Sequence, residues 1–327
     1  MAHVFLTGAT GFIGSFVAEH LIKNGHRVTC LIRPTSSTRW LKQLPVEYCV
    51  GSLNDPAACR DPIQSADVVI HTAGITKART EKEYYHGNVE TTRQLLSGIR
   101  DYGHSLKRFV HISSQAAVGP SLSENPVDEN SPPHPVTHYG KSKLLSEKVV
   151  HSFSNDIPVT IIRPPSVYGP RDREVYKIFR SIKMGINAMV GSVDQLVSLV
   201  FVEDLARGVT KAAFSPAARG EIYFLCEEIP YHWSEVADLT GRLMNKKYIT
   251  LRIPIPLVHL FAFIFEKLAG TIGKATILNR DKIKEIRQPY WVISPRKAQK
   301  DFDYKTEYPL EKGLRKTIDW YRENGWL

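Results

Sequence analysis

Short, almost uninterrupted apolar runs alternate along this chain with longer stretches in which apolar residues recur at helical spacing. Residues 3 to 8 form the first run, which reads as a strand buried on both faces. Residues 12 to 24 have helical period and stop at Gly25, and His26 to Arg33 reads as a second strand. Further strands are expected near Val46 to Val50, Val68 to His71 and Phe109 to Ser113. Helices are expected from about Asn88 to Arg100 and from about Thr137 to Phe153, followed by a sixth strand at Val159 to Arg163.

Strand, helix, strand in series predicts an α/β fold: a Rossmann-type, doubly wound parallel sheet with helices on both faces. Beyond Pro164 and Pro165 the rhythm loosens, and aromatic residues and prolines accumulate. Residues 1–165 are therefore read as a dinucleotide-binding domain and 166–327 as mainly a smaller, mixed α/β substrate lobe. A segment near 195–215 returns to the first domain, because Val197 to Val202 reads as a strand leading into a helix through Ala213. Ile253 to Phe265 reads as an apolar helix. It closes the lobe's own core, walls a hydrophobic substrate or, as a lesser alternative, touches a membrane surface with help from Arg252, Lys267 and Lys274.

The 327 residues, 43% hydrophobic and 23% charged, have ordinary globular composition. The four cysteines, Cys30, Cys49, Cys59 and Cys226, have no metal-like spacing, so no metal site is proposed and a reduced, cytoplasmic chain is expected. The N-terminus reads directly into a strand without a charged leader, and the apolar runs are too short for the roughly 20 residues that cross a bilayer. A net charge of +10 suits anionic cofactors or substrates. No nucleic-acid module or dense basic run accompanies it, so nucleic acid is not an expected partner.

Thr7 to Gly14, TGATGFIG, falls between the first strand and first helix, where a phosphate-binding turn must stand. Gly8 permits the turn, Gly11 leaves the backbone open to a pyrophosphate, and Gly14 allows close helix–strand packing. Thr10, Phe12 and Ile13 complete this cofactor-binding set at a helix N-terminus, whose free N–H groups favour anions. The second strand ends at Ile32 and Arg33, where an acid for the ribose 2′-hydroxyl of NAD would stand. An arginine pairs with a 2′-phosphate instead, so NADP(H) is favoured and NAD(H) is the alternative; Arg39 is a candidate assistant.

Tyr139 and Lys143 lie four apart in the expected helix and share one face. A nearby ammonium is expected to lower the phenol from its usual pKa of ~10, giving a general acid/base. Ser114, at the end of the fifth strand, reaches the carboxyl edge of the sheet, where such folds bind ligands.

In order, TGATGFIG at 7 to 14, HTAG at 71 to 74, Asn88-Val89, SSQAAVG at 113 to 119, YGKSK at 139 to 143 and RPPSVYGP at 163 to 170 closely resemble the extended short-chain dehydrogenase/reductases, the NAD-dependent epimerase/dehydratase family. The resemblance covers almost the whole chain and is nearest the dihydroflavonol-reductase-like and 3β-hydroxysteroid-dehydrogenase-like branches. It implies that Ser114, Tyr139 and Lys143 are catalytic and that Lys143 also binds nicotinamide ribose. It further implies that Leu53 borders the adenine, that Thr72, Ala73 and Thr76 line the ribose and pyrophosphate path with Asn88 nearby, and that Pro164 and Val167 lie beside the nicotinamide. Ser52 departs from the aspartate that many members use for the adenine amine. A homodimer through the helices near 88–100 and 137–153 is also implied.

Sugar dehydratases of the family follow their strand-end hydroxyl with Asp-Glu; here Gln115-Ala116 follows Ser114, which disfavours dehydration. Hydride transfer between a nicotinamide and a carbonyl or alcohol is the preferred expectation, with a hydrophobic alcohol or ketone as substrate. The alternatives are 4-epimerisation of a nucleotide sugar by the same three residues and, in a different class, a dinucleotide-binding regulatory or assembly protein. The loop from Pro120 to Pro135 either covers the pocket or is simply restrained by its prolines.

Overall fold

The computed structural model describes residues 1–191, 193–258 and 280–327. Seven parallel strands form the main sheet. In chain order they are β1 (His3–Thr7), β2 (Arg27–Ile32), β3 (Glu47–Val50), β4 (Val68–His71), β5 (Arg108–Ile112), β6 (Val159–Arg163) and, after four short strands outside this sheet (β7 to β10), β11 (Ile222–Phe224). Their spatial order is β11-β6-β5-β4-β1-β2-β3. The order reverses between β1 and β4, and ligands of doubly wound sheets bind outside the carboxyl ends of the strands at such a switch point.

The four central strands β1, β4, β5 and β6 are buried at every residue, which explains their continuous apolar runs. Helix α1 (Phe12–Lys23) packs Phe16, Val17 and Leu21 into the core on one face of the sheet and ends ahead of Gly25, whose φ of +75° suits glycine. On the other face, α2 (Arg60–Ser65) precedes a continuous helical stretch: α3 (Glu81–Tyr85), a π turn (His86–Glu90) and α4 (Thr91–Tyr102). The expected helix near 88–100 thus begins earlier and is interrupted by a π turn that carries the buried Asn88. Helix α5 (His138–Ser152) completes this layer, with Val149 and Val150 in the core.

The expected strand Val197 to Val202 is broken. β9 (Leu196–Val197) joins a three-stranded sheet with β12 (Tyr231–His232) and β14 (Tyr290–Trp291), whereas β10 (Leu199–Phe201) pairs with β7 (Ser166–Tyr168). Ser198 marks the change: its N–H donates to Trp291 O at 2.8 Å and its Oγ accepts from Ile293 N at 3.0 Å. Helix α7 (Val202–Phe214) then packs on α1, after α6 (Val175–Lys183) has been placed in the lobe. β8 (Ile186–Val190) pairs with β13 (Ile249–Ile253), and α8 (Trp233–Met244) joins the lobe core with Val236 and Met244. The described chain closes with α9 (Arg280–Ile286), α10 (Arg296–Phe302) and α11 (Leu310–Glu323).

From residue 259 on, the expected apolar helix lies outside the described residues. Among the described residues, no helix is long and apolar enough to cross a membrane. The loop from 120 to 135 is pinned to the strand-like segment after β14: Ser121 N donates to Tyr290 O at 2.9 Å and Val127 N to Val292 O at 3.1 Å. None of its residues from Pro120 to Pro135 is among those that line the cavity described below.

Candidate active site

The glycine turn is a close-packed cradle. A Cβ on Gly14 would stand 2.2 Å from Gly8 O, and one on Gly8, whose φ is +76°, would stand 2.6 Å from Ala73 N and from Thr72 Oγ1. Thr72 fixes this junction by donating from Oγ1 to Thr7 O at 2.7 Å, so the loop after β4 abuts the turn after β1 at the switch point. Gly11 is exposed, caps α1 without a side-chain hydrogen bond and leaves the first helical N–H groups open beside Thr10, Phe12 and Ile13. A backbone surface so bare, at an uncapped helix N-terminus, fits a pyrophosphate.

Arg33 is exposed just beyond β2, and its guanidinium has no partner among the described residues. Arg39 lies over the Trp40 ring at 4.0 Å, near Arg171 and Arg173. Leu53 is half-buried in a tight turn; Ser52 Oγ accepts from Asn54 N at 3.2 Å within that same turn. Asn88 is buried, and its amide is engaged by Ile75 N at 2.8 Å, Ile75 O at 3.0 Å and Ser142 Oγ at 2.9 Å. It ties the β4 loop to α5. His71 is likewise a pin within the sheet layer, held between Thr7 Oγ1 at 2.7 Å and Thr92 Oγ1 at 3.0 Å, and burial lowers its pKa to about 3, so it is neutral.

Ser114 is extended and ends the β5 run; its Oγ accepts from Ala116 N at 3.1 Å at the head of a short 3-10 turn. Helix α5 approaches this turn closely because Gly140 has no side chain: a Cβ there would lie 2.3 Å from Ala116 O. Thr137 caps the helix by accepting from Gly140 N at 3.1 Å, and Asp281 of α9 accepts from His138 N at 2.7 Å. These contacts seat Tyr139 beside Ser114, close enough for the serine hydroxyl to act on the phenol. Ser113 is turned away and donates to the Glu147 carboxylate. Of the two adjacent serines, only Ser114 lines the cavity.

Lys143 is 4% exposed, and its Nζ donates to Ile112 O at 2.7 Å. Burial lowers its pKa to about 8, with the Glu147 carboxylate pulling upward. The expected lowering of the phenol is corrected here. Burial pushes Tyr139 up to about 12, only partly opposed by the Ser114 hydroxyl, and the Glu285 carboxylate raises it further. With its ammonium engaged by a backbone carbonyl, Lys143 does not hold a phenolate in the protein alone. Tyr139 is protonated near neutral pH and suited to donating a proton.

Lys143 also makes a pH-dependent prediction. Its folded pKa lies below the ordinary lysine value of ~10.4, so its contribution to stability rises as pH climbs from about 8 toward that value. Its positive charge is lost over the same interval. Dinucleotide affinity, followed by nucleotide fluorescence, is expected to fall several-fold between about pH 7 and about pH 9, and Lys143→Met is expected to flatten that dependence.

A cavity of about 510 Å³ opens beside these groups, lined by Ser114, Gln115, Tyr139 and Val167 and, from the lobe, Trp233 and Trp291. Thr76 is also on its wall, whereas Pro164 is buried behind it and accepts from Gln115 N at 2.8 Å. Five charged side chains line the cavity among the described residues. Four are the carboxylates of Asp172, Glu174, Asp281 and Glu285; the fifth, Lys77, is paired with Glu174. This acidic lining and the two tryptophans come from segments far apart in the chain and leave no mark in the sequence pattern. Another hollow, bounded by Asp238, Arg242 and Tyr248, contains none of the catalytic candidates.

A doubly wound sheet, a glycine cradle at its switch point and a Ser/Tyr/Lys group at its carboxyl edge define a dinucleotide-binding enzyme class. The profile of the NAD dependent epimerase/dehydratase family matches residues 4–226, and the chain belongs to that family. Ceramide reductase of Caulobacter vibrioides (strain NA1000 / CB15N) is 28% identical over 324 residues, covering 99% of this chain and 96% of the relative. The N-acetyl-alpha-D-glucosaminyl-diphospho-ditrans,octacis-undecaprenol 4-epimerase of Escherichia coli O157:H7 is 26% identical over 330 residues, covering 97% and 95%. Among solved structures, that of gox2253 superposes with a TM-score of 0.83 at 25% identity, covering 100% of both chains. Relatives of this chain thus include both reductases and epimerases.

Proposed function

We propose that this protein is an NADP(H)-dependent reductase of ketones, and dehydrogenase of the corresponding alcohols, acting on an uncharged and largely apolar substrate. The charge of the cavity wall carries this reading. Glu174 pairs with Lys77 and Lys177, and Asp281 with Lys284, so the one cation on the described wall, Lys77, is already engaged and nothing there is offered to the diphosphate of a nucleotide sugar, which carboxylates would also repel. Val167, Trp233 and Trp291 offer apolar contact instead. The lipid-derived substrate in the name of the ceramide reductase agrees with such a wall.

The bound cofactor supplies two electrons and a hydrogen to the carbonyl carbon. Ser114 holds the carbonyl oxygen by hydrogen bonding, and Tyr139 delivers the proton that turns it into a hydroxyl. Lys143 reaches the ribose side of the site, and Gly8, Gly11 and Gly14 with the α1 N-terminus hold the pyrophosphate. Gly74 leaves room for the Asn88 amide, since a Cβ there would stand 3.0 Å from its Oδ1.

The unpartnered Arg33 supports NADP(H) over NAD(H). Charge-assisted hydrogen bonds to a phosphate are worth roughly 1.5–3 kcal/mol. Arg33→Ala is therefore expected to weaken NADPH binding by about tenfold to a hundredfold while changing NADH binding little, as read by fluorescence titration of both nucleotides. Tighter binding of NADH than NADPH, with a ratio indifferent to Arg33→Ala, overturns the preference.

Epimerisation is the second reading, favoured by the undecaprenol-sugar relative. It recycles its cofactor, so stoichiometric conversion of NADPH to NADP⁺ excludes it. Whichever of the two reactions it performs, we propose that the protein pairs as a homodimer through the outer faces of α4 and α5, where Leu145 is exposed, which light scattering checks.

A further inference from the structure

The backbone of Gln115 is fully committed. Its N–H donates to Pro164 O at 2.8 Å, and its carbonyl accepts from Val118 N at 3.0 Å and Gly119 N at 3.1 Å. The side chain is held on the cavity wall next to Ser114, at 4% residue exposure. Its amide Nε2 is buried and has no hydrogen-bond partner. Of the buried side-chain nitrogen and oxygen atoms left in that condition among the described residues, it alone belongs to a residue of this cavity. Native structures seldom bury an amide donor without a partner, because the N–H groups give up water and receive nothing in return. One residue beyond the hydroxyl that holds the reacting oxygen, a turn of this side chain presents the donor to a ligand in the cavity, which completes it.

We infer that Gln115 is a specificity-determining residue that donates from Nε2 to a second oxygen of the substrate, carried close to the reacting carbonyl. The inference rests on the reductase reading and narrows its substrate class to ketones bearing a neighbouring uncharged oxygen acceptor: a hydroxyl, an ester carbonyl or an amide carbonyl. An ionised carboxylate in that place is disfavoured by the acidic residues of the same wall, Asp172, Glu174, Asp281 and Glu285. A site built to hydrogen-bond a substrate group discriminates strongly against an analogue that lacks it, since the protein's own buried polar group is then left unpaired.

The test uses two probes of equal chain length, ethyl 3-oxohexanoate, which carries the second oxygen, and 4-nonanone, which does not. NADPH oxidation is followed with wild-type protein, Gln115→Met, which keeps the side chain's length and removes its donor, and Gln115→Ala. The wild-type protein is expected to prefer the oxo ester by at least about tenfold in kcat/KM. In Gln115→Met the preference is expected to collapse to within about twofold, through a raised KM for the oxo ester. The ratio is taken on one preparation and is independent of the fraction folded. If the methionine variant does not bind NADPH, the alanine variant is read in the same way; if neither binds it, the wild-type preference alone decides. Equal use of the two ketones by wild type, or an undiminished preference in a cofactor-binding variant, overturns the inference alone. Failure of wild type to oxidise NADPH with either ketone, while it binds NADPH, overturns the reductase reading and this inference together.

Discussion

Replacing Tyr139 with Phe is expected to lower kcat for carbonyl reduction by about a thousandfold, within the range that removal of a general acid costs. The ring stays beside Ser114, and the glycine cradle and Arg33 are untouched, so NADPH binding is expected to persist. The phenol is pushed up to about 12, so the proton it donates is present across the neutral range. The reduction rate should accordingly show no acid-side or neutral titration belonging to Tyr139, and any alkaline fall near pH 8 belongs to Lys143. Full turnover in Tyr139→Phe refutes the assigned role. Loss of turnover with binding retained also separates an enzyme from a dinucleotide-binding regulator, which needs no proton donor.

The second large effect is on stability. Arg163 and Glu147, each 5% exposed, form a buried ion pair: Arg163 Nε donates to Glu147 Oε1 at 2.9 Å and Nη2 to Oε2 at 2.7 Å. Ser113 donates to the same carboxylate. Glu147→Ala leaves the guanidinium buried and uncompensated, which costs about 3–5 kcal/mol in comparable cases. Urea unfolding is expected to show that loss at neutral pH. A change below about 1 kcal/mol contradicts the argument, because only an Arg163 that finds water or another acid escapes the penalty. The variant also removes the charge that pulls Lys143 upward, so the alkaline fall in dinucleotide affinity is expected to move below pH 8.

The central sheet was legible because β1, β4, β5 and β6 are buried at every residue and are mostly apolar, with polar residues such as His71, Arg108 and Arg163 chiefly at their ends. β11 was not, since three residues, Ile222 to Phe224, carry no period that separates a strand from any other apolar run. Val197 to Val202 misled for a physical reason: a strand that changes sheets at Ser198 remains apolar on both sides of the change. The π turn at Asn88 left no mark in the hydrophobic pattern either, because it displaces the helix without altering which residues are apolar.

Of the site, the glycine turn, Arg33 and the Ser114, Tyr139 and Lys143 group could be read because each sits at a strand end or at helical spacing. Tyr139 and Lys143 do share α5, yet spacing along a helix says nothing about which acceptor the ammonium chooses. Ile112 O takes it, and burial then decides the phenol. The acidic wall from Asp172, Glu174, Asp281 and Glu285 is a product of tertiary assembly, drawn from the approach to α6 and from α9 more than a hundred residues later. Gln115 was visible as a residue that bears on reaction type. That its amide nitrogen is left without a partner was not.

The most direct test of the account is isotopic. Wild-type protein is given NADPH deuterated at C4, in separate 4R and 4S preparations, with ethyl 3-oxohexanoate as the carbonyl compound, and the product is analysed by mass spectrometry. The account predicts one NADP⁺ formed for each 3-hydroxy ester, with deuterium on its carbinol carbon from one of the two preparations and turnover abolished in Tyr139→Phe. Bound NADPH that is never oxidised above the level of Tyr139→Phe contradicts it.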